Sequence, residues 1–252
     1  MDLGNRTILI TGAAQGLGLG IARRLAGAGA RMVLVDCDPV VNDHLADPVF
    51  AKSAIALVRD LAEPDAPRDL MREALEKVDS LNGLINCAAW SLHKALAETT
   101  IQEFDRLIAI NQRAPFFLSQ QFARSICDAA PDTTPDPCIV NIASVNASVG
   151  NANLTGYAST KGALVAMGRA MAVELAPRIR VVTISPGAVL TTNTENLIAA
   201  GQIVVPILLE RFLVKRFITV EEIADLVAFL FGPSAISITG CNWVVDGGLT
   251  AQ

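Results

Sequence analysis

The chain contains a single tyrosine, Tyr157, and Lys161 stands four residues beyond it in Tyr157-Ala158-Ser159-Thr160-Lys161, followed by a helical pattern from Gly162 to Glu174. Residues four apart share one face of a helix. A phenol of ordinary pKa, about 10, is a poor base at neutral pH, and an ammonium beside it stabilises the phenolate and lowers that value. Tyr-x-x-x-Lys is therefore an arrangement for moving a proton. Ser144 closes the run Cys138-Ile139-Val140-Asn141-Ile142-Ala143. If that run is a strand, the Ser144 hydroxyl lies on the sheet edge where α/β loops carry ligands, beside the same bound group. An i,i+4 Tyr/Lys pair also occurs on ordinary exposed helix faces, so its meaning depends on the elements around it.

Those elements are short β-branched runs alternating with longer helical patterns. The runs are Thr7–Ile10, Met32–Val35, Ala54–Val58, Gly83–Asn86, Cys138–Ile142, Val181–Ile184 and Trp243–Val245. Helices are expected over about 16–29, 66–78, 100–128, 156–176 and 219–231. Strand alternating with helix implies an α/β fold, a doubly wound parallel sheet of about seven strands with helices on both faces. The 52% apolar content suits a sheet buried on both sides. Residues 1–252 read as one domain. Ala130 to Pro137, with three prolines, reads as a surface turn, and an apolar lid is expected over about 190–215.

Directly after the first run comes Thr11-Gly12-Ala13-Ala14-Gln15-Gly16-Leu17-Gly18, and then a helical pattern. Glycines here allow a tight turn and close backbone approach, and the helix start offers free N–H groups to a pyrophosphate. Gly12, Gln15, Gly16, Leu17 and Gly18 are therefore candidate dinucleotide contacts. Asp36 ends the second run, where a carboxylate can accept both ribose hydroxyl protons of the adenosine half and repel a 2′-phosphate. Neither Gln15 nor Cys37 offers a compensating cation, so NAD is favoured over NADP. The competing role for Asp36 is to cap a turn with Asp38-Pro39.

Other classes recede. Charged side chains sum to a net −5 with no basic run, which argues against nucleic acid. No apolar stretch reaches the ~20 residues of a membrane span. Five scattered cysteines without a Cys-x-x-Cys pair suggest reduced thiols in the cytoplasm, and His44 and His93 have no partner at ligand spacing, so no metal is expected.

Together these residues resemble the short-chain dehydrogenase/reductase family, from Thr7 to Gly248. The family's glycine motif matches Thr11-Gly12-x-x-x-Gly16-x-Gly18, and its Ser and Tyr-x-x-x-Lys match Ser144, Tyr157 and Lys161. Its catalytic asparagine is similar to Asn111. The resemblance implies a single-domain Rossmann fold, an adenine contact at Asp60 and Leu61, a nicotinamide clasp at Val189 and Thr191, and a homotetramer or homodimer. It also implies that Asn86 and Ala88 serve the cofactor, although Asn86-Cys87-Ala88-Ala89 departs from the usual Asn-Asn-Ala-Gly. The implied reaction is hydride transfer between NAD(H) and a secondary alcohol or ketone. Tyr157 acts as acid/base, Ser144 holds the substrate oxygen, Lys161 lowers the phenol and binds ribose, and Asn111 holds a water.

The competing readings are an NADP-dependent 3-oxoacyl-type ketoreductase and a non-catalytic dinucleotide sensor or scaffold. A nucleotide-sugar epimerase is expected to carry a larger C-terminal region. The substrate is expected to be mostly apolar, lined by Trp90, Leu92, His93, Val145, Asn146, Asn153, Leu154, Leu190 and the stretch Leu197 to Leu213, with His93 read as a surface histidine.

Overall fold

The computed structural model describes residues 2–51, 53–128 and 136–251. The seven expected runs all form strands: β1 (Thr7–Thr11), β2 (Arg31–Asp36), β3 (Ala54–Val58), β4 (Gly83–Asn86), β5 (Cys138–Ile142), β6 (Arg180–Pro186) and β7 (Asn242–Val245). They pair in parallel in the order β3-β2-β1-β4-β5-β6-β7. The order reverses between β1 and β4, so a crevice opens above their C-terminal ends.

Side chains on a strand alternate between faces, and each strand feeds two cores. Ile8, Ile10, Met32, Leu34, Ile85 and Val140 join one cluster, packed by Ile21, Ala22 and Leu25 of α1 (Gly16–Gly27) and by Ile223, Val227 and Phe231 of α8 (Val220–Phe231). Leu9, Val33, Val35, Leu84 and Ile139 face the other way. They meet Leu70 and Ala74 of α2 (Ala66–Lys77), Leu118 and Phe122 of α4 (Ala114–Asp128) and Met171 of α5 (Thr155–Leu175). A sheet covered on both sides explains the continuous apolar runs.

The helix expected over 100–128 is divided. It starts as α3 (Ile101–Ile108), passes through a π-helical turn at Ala109–Arg113, and resumes as α4. Pro115 stands just beyond this turn, and a proline, with no N–H and a ring that crowds the preceding turn, disfavours an unbroken α-helical register there. Both expected starts at 100 and 219 are capping boxes, Thr100 with Glu103 and Thr219 with Glu222.

The apolar segment after β6 folds as α6 (Thr192–Ala199) and α7 (Val205–Glu210) beside the strand ends. Phe212 anchors it, fully buried against Val145 and Leu249. At the opposite ends of the strands, Asp136 holds Arg180 in a two-pronged ion pair at 2.7 Å and also reaches Arg6. The expected proline turn falls largely on 129–135, outside the described residues.

Candidate active site

The glycine loop after β1 is shaped by close backbone approaches. Gly12 has φ +74°, and a Cβ there would lie 2.8 Å from the Cα of Ala88. Thr11 draws the β4 loop in: its Oγ1 accepts from the N–H groups of Cys87 and Ala88, both at 3.1 Å. The start of α1 has no side-chain cap and no acid in its first turn, so its N–H groups remain available to an anion.

Asp36 caps the turn that follows β2. Its Oδ2 accepts from Ala14 N at 2.9 Å and its Oδ1 from Asp38 N at 3.0 Å, which caps the turn and fixes the carboxylate. A carboxylate has about four acceptor positions, so capacity remains on the groove side. His44, on the segment after β2, bonds the Ala14 carbonyl through Nε2 at 2.7 Å, so the Ala14 peptide is held from both sides.

Gly12, Gly18 and Asp36 border a cavity of about 340 Å³ that also includes Asp60, Leu61 and Ala88. It continues past Gln15, Leu17, Cys87, Ala89 and Trp90 into a second cavity of about 650 Å³ containing Ser144, Tyr157, Lys161, Val189 and Thr191. The two form one groove along the strand ends. Thr191 caps α6 and stands over the glycine loop, its Cβ 3.7 Å from where a Gly16 Cβ would be.

Ser144, Tyr157 and Lys161 converge on the second cavity as expected. Lys161 Nζ donates to the Ile142 carbonyl at 2.8 Å and lies 5.6 Å from the centre of the Tyr157 ring. The electrostatics differ from the expectation that the lysine lowers the phenol. Burial pushes Tyr157 up to about 12, against a smaller downward pull from the Ser144 hydroxyl, and burial brings Lys161 down to about 8. Both charged forms lose hydration against the protein at the cavity floor, and that loss dominates. Because Tyr157 is the chain's one tyrosine, alkaline titration of tyrosinate absorbance reads it alone. Little signal is expected at pH 10, where a free tyrosine is half ionised. A midpoint at or below 10 would contradict this account of the floor.

Two expected site residues are placed differently. Asn86 is buried on the far face of β4, donating to Asn141 Oδ1 at 2.9 Å and Ser119 Oγ at 3.2 Å. Its side chain holds the core together and is not a wall of the groove. Asn111 is also committed to structure. Its Oδ1 accepts from Trp90 N at 2.8 Å, and its Nδ2 donates to Trp90 O at 2.9 Å and Thr160 Oγ1 at 3.1 Å. With both amide protons taken, the Asn111 side chain has no donor left for a water.

Of the expected substrate-side residues, Trp90, His93, Asn146, Leu154, Leu197 and Ile203 line the second cavity. Val145 is buried under Phe212, Leu190 faces outward, and Leu92 and Asn153 are absent from the wall. His93 is both exposed and part of that wall. Cys87 is at the floor, its thiol pushed up to about 12 by burial. Thr11, His44, Asn193, Arg59 and Arg106 were not anticipated as site residues. Arg106 lies 5.6 Å from the centre of the Trp90 ring and 3.9 Å from Asp60, and Arg59 pairs with Glu73 at 2.6 Å. Neither arginine lies in a motif that marks it from sequence. Among the described residues, no three metal-ligating side chains gather, and no helix is long and apolar enough to cross a membrane.

A family model described as enoyl-(acyl carrier protein) reductase matches residues 12–250. The chain is 31% identical to D-beta-hydroxybutyrate dehydrogenase of Rhizobium meliloti (strain 1021), with 98% of this chain and 99% of that protein covered. Among solved structures it is similar to a 3-ketoacyl-(acyl-carrier-protein) reductase from Brucella melitensis complexed with NADH, at 30% identity and TM-score 0.87, covering 97% of this chain and 98% of that one. It is also similar to a Pseudomonas aeruginosa RhlG/NADP active-site complex, at 26% identity and TM-score 0.90, covering 98% and 97%.

Proposed function

The chain belongs to the short-chain dehydrogenase/reductase family and is an oxidoreductase of secondary alcohols and ketones, and from that premise we propose NAD(H) as its coenzyme and Tyr157 as its acid/base. The observation that carries the proposal is the convergence of Tyr157, Ser144 and Lys161 on a cavity continuous with the dinucleotide groove.

The groove fits a dinucleotide. The uncapped start of α1 suits a pyrophosphate, Asp36 the adenosine ribose, Asp60 and Leu61 the adenine, Ala88 the bridging segment, and Val189 and Thr191 the carboxamide. Bound there, the nicotinamide ring takes up or supplies the hydride. In oxidation Tyr157 removes the hydroxyl proton from the alcohol, and in reduction it returns a proton to the carbonyl oxygen. Ser144 holds that oxygen. Lys161 spends one of its three N–H donors on Ile142, leaving two for a ribose hydroxyl and for a water held beside Asn111. Leu154, Leu197 and Ile203 suit the hydrocarbon part of a substrate, and Asn193 and His93 suit a polar group near the mouth.

Coenzyme choice turns on Asp36. A 2′-phosphate beside its fixed carboxylate meets like charge in a partly buried site, which costs several kcal/mol. Arg59 favours the NADP reading, since it borders the same cavity and its Nε is buried without a partner. Its Nη2 is neutralised by Glu73, which tips the balance to NAD. Turnover read by nicotinamide absorbance across a panel of secondary alcohols is expected to favour NAD⁺ over NADP⁺ by roughly 100-fold in kcat/KM. Asp36→Ala is expected to narrow that preference. Equal use of both coenzymes by the unaltered protein would refute the assignment.

The same reading carries a cytoplasmic homotetramer or homodimer. Ile101, Phe104, Phe116, Phe117 and Val173 leave an apolar surface on α3, α4 and α5 that association would cover.

A further inference from the structure

Ser144 sits at the end of a hydrogen-bonded chain that starts in the lid. At the C-terminal end of α7, Arg211 Nη1 donates to Asn151 Oδ1 at 2.9 Å. Asn151 Nδ2 donates to Asn146 Oδ1 at 2.6 Å. Asn146 then donates twice to Ser144 Oγ, from its side-chain Nδ2 and from its main-chain N–H, each at 3.2 Å.

The order of donors in this chain is forced from one end. A guanidinium has donors and no acceptor, so the Asn151 atom facing Arg211 must be oxygen. The Asn151 amide nitrogen then faces Asn146, which must answer with its own oxygen. What Asn146 has left for Ser144 is its NH₂. A serine hydroxyl has two lone pairs and one proton, and here both lone pairs are occupied. Only the proton remains, directed into the cavity that holds Tyr157.

We propose that Asn146, Asn151 and Arg211 are positioning residues that make Ser144 an obligate hydrogen-bond donor to the reacting oxygens. The proposal rests on the dehydrogenase reading of Ser144 and Tyr157 and adds three residues to it. In oxidation the fixed Ser144 proton stabilises the phenolate and the alkoxide as negative charge develops. In reduction, with no lone pair to spare, Ser144 cannot compete with the substrate for the Tyr157 proton. Because Arg211 ends α7, the polarity of the catalytic hydroxyl depends on the seating of the lid.

Asn151→Asp tests this with little change in shape. The carboxylate still accepts from Arg211 but offers Asn146 an acceptor in place of a donor. The Asn146 amide must turn over, its oxygen faces Ser144, and the Ser144 proton is drawn away from Tyr157. With one tyrosine in the chain, tyrosine labelled at its Cζ gives a single NMR resonance that reports, without any substrate, whether the Ser144 hydroxyl turns its proton or its lone pair towards Tyr157. Ser144→Ala marks the position for its loss, and Asn151→Asp is expected to move most of the way towards it while keeping the thermal midpoint of the unaltered protein. Where Asn151→Asp does not fold, Arg211→Met replaces it, with a smaller displacement in the same direction. Using NAD⁺ and meso-2,3-butanediol as probe, kcat is expected to fall about tenfold at each pH from 7 to 10.

A resonance unmoved in Asn151→Asp but displaced in Ser144→Ala would overturn the relay, as would a resonance unmoved in both. A displaced resonance together with turnover that survives Tyr157→Phe would leave the relay standing and overturn the acid/base reading instead.

Discussion

Tyr157→Phe is expected to lower kcat by about 10²–10⁴-fold, the range that positioned general acid/base catalysis supplies. The substitution removes one oxygen and keeps the ring, so the packing beneath Lys161 and the contact of Thr160 with the Tyr157 carbonyl at 2.8 Å survive. Reduced-dinucleotide binding is therefore expected to stay within about twofold of the unaltered protein, with the whole loss in the chemical step. The pH dependence has a definite sign. The phenol is raised to about 12, so its basic form grows as pH rises through the neutral and alkaline range. Alcohol oxidation should accelerate with pH, by about tenfold per unit while proton removal limits the rate. Steady-state rates from pH 7 to 10 check both statements. A Tyr157→Phe variant with unaltered kcat, or oxidation that slows as pH rises, would remove Tyr157 from the chemistry.

Gly18→Ala is expected to weaken dinucleotide binding on the order of 100-fold. An alanine Cβ would stand 2.0 Å from the Gly12 carbonyl oxygen and 2.7 Å from its carbon. Both are backbone atoms of the loop whose other side is pinned to the β4 segment by Thr11, so no side-chain rotation can relieve the contact. The loop must shift, and the N–H groups meant for the pyrophosphate shift with it. Gly150→Ala is the matched control, because a Cβ there meets nothing within 4 Å. Calorimetric titration with NADH should separate the two variants. Equal affinity in Gly18→Ala and the unaltered chain would mean that this loop is not where the dinucleotide binds.

What could be read from the residues and what could not divides along physical lines. The seven strands were legible because both sheet faces are buried, which leaves runs such as Met32-Val33-Leu34-Val35 with no polar interruption. Tyr157 and Lys161 were legible because a four-residue spacing in a helix fixes their relation whatever surrounds it. The value of the Tyr157 phenol was not, since it depends on how deeply the pair is enclosed, and enclosure is a property of the assembled groove. For Asn86 the period of the strand outweighs the motif. Leu84 faces the α2 and α4 side, so Asn86, two residues on, must face it too, towards Ser119. The split in the helix over 100–128 had its signal in Pro115, a residue that disfavours an unbroken α-helical register over the turn before it. The chain of amides from Arg211 to Ser144 had no such signal, because Arg211 and Asn151 are sixty residues apart and meet only when the segment after β6 folds back beside the strand ends.

The central claim is that hydride passes between a substrate carbon and a nicotinamide held in this groove. The direct measurement is to supply the unaltered protein with NAD⁺ and a secondary alcohol deuterated at the carbinol carbon, and to follow the label by mass spectrometry. One deuterium in each reduced dinucleotide formed, with none released to water, is the predicted result. Deuterium appearing in the solvent, or ketone formed without reduced dinucleotide, would contradict it.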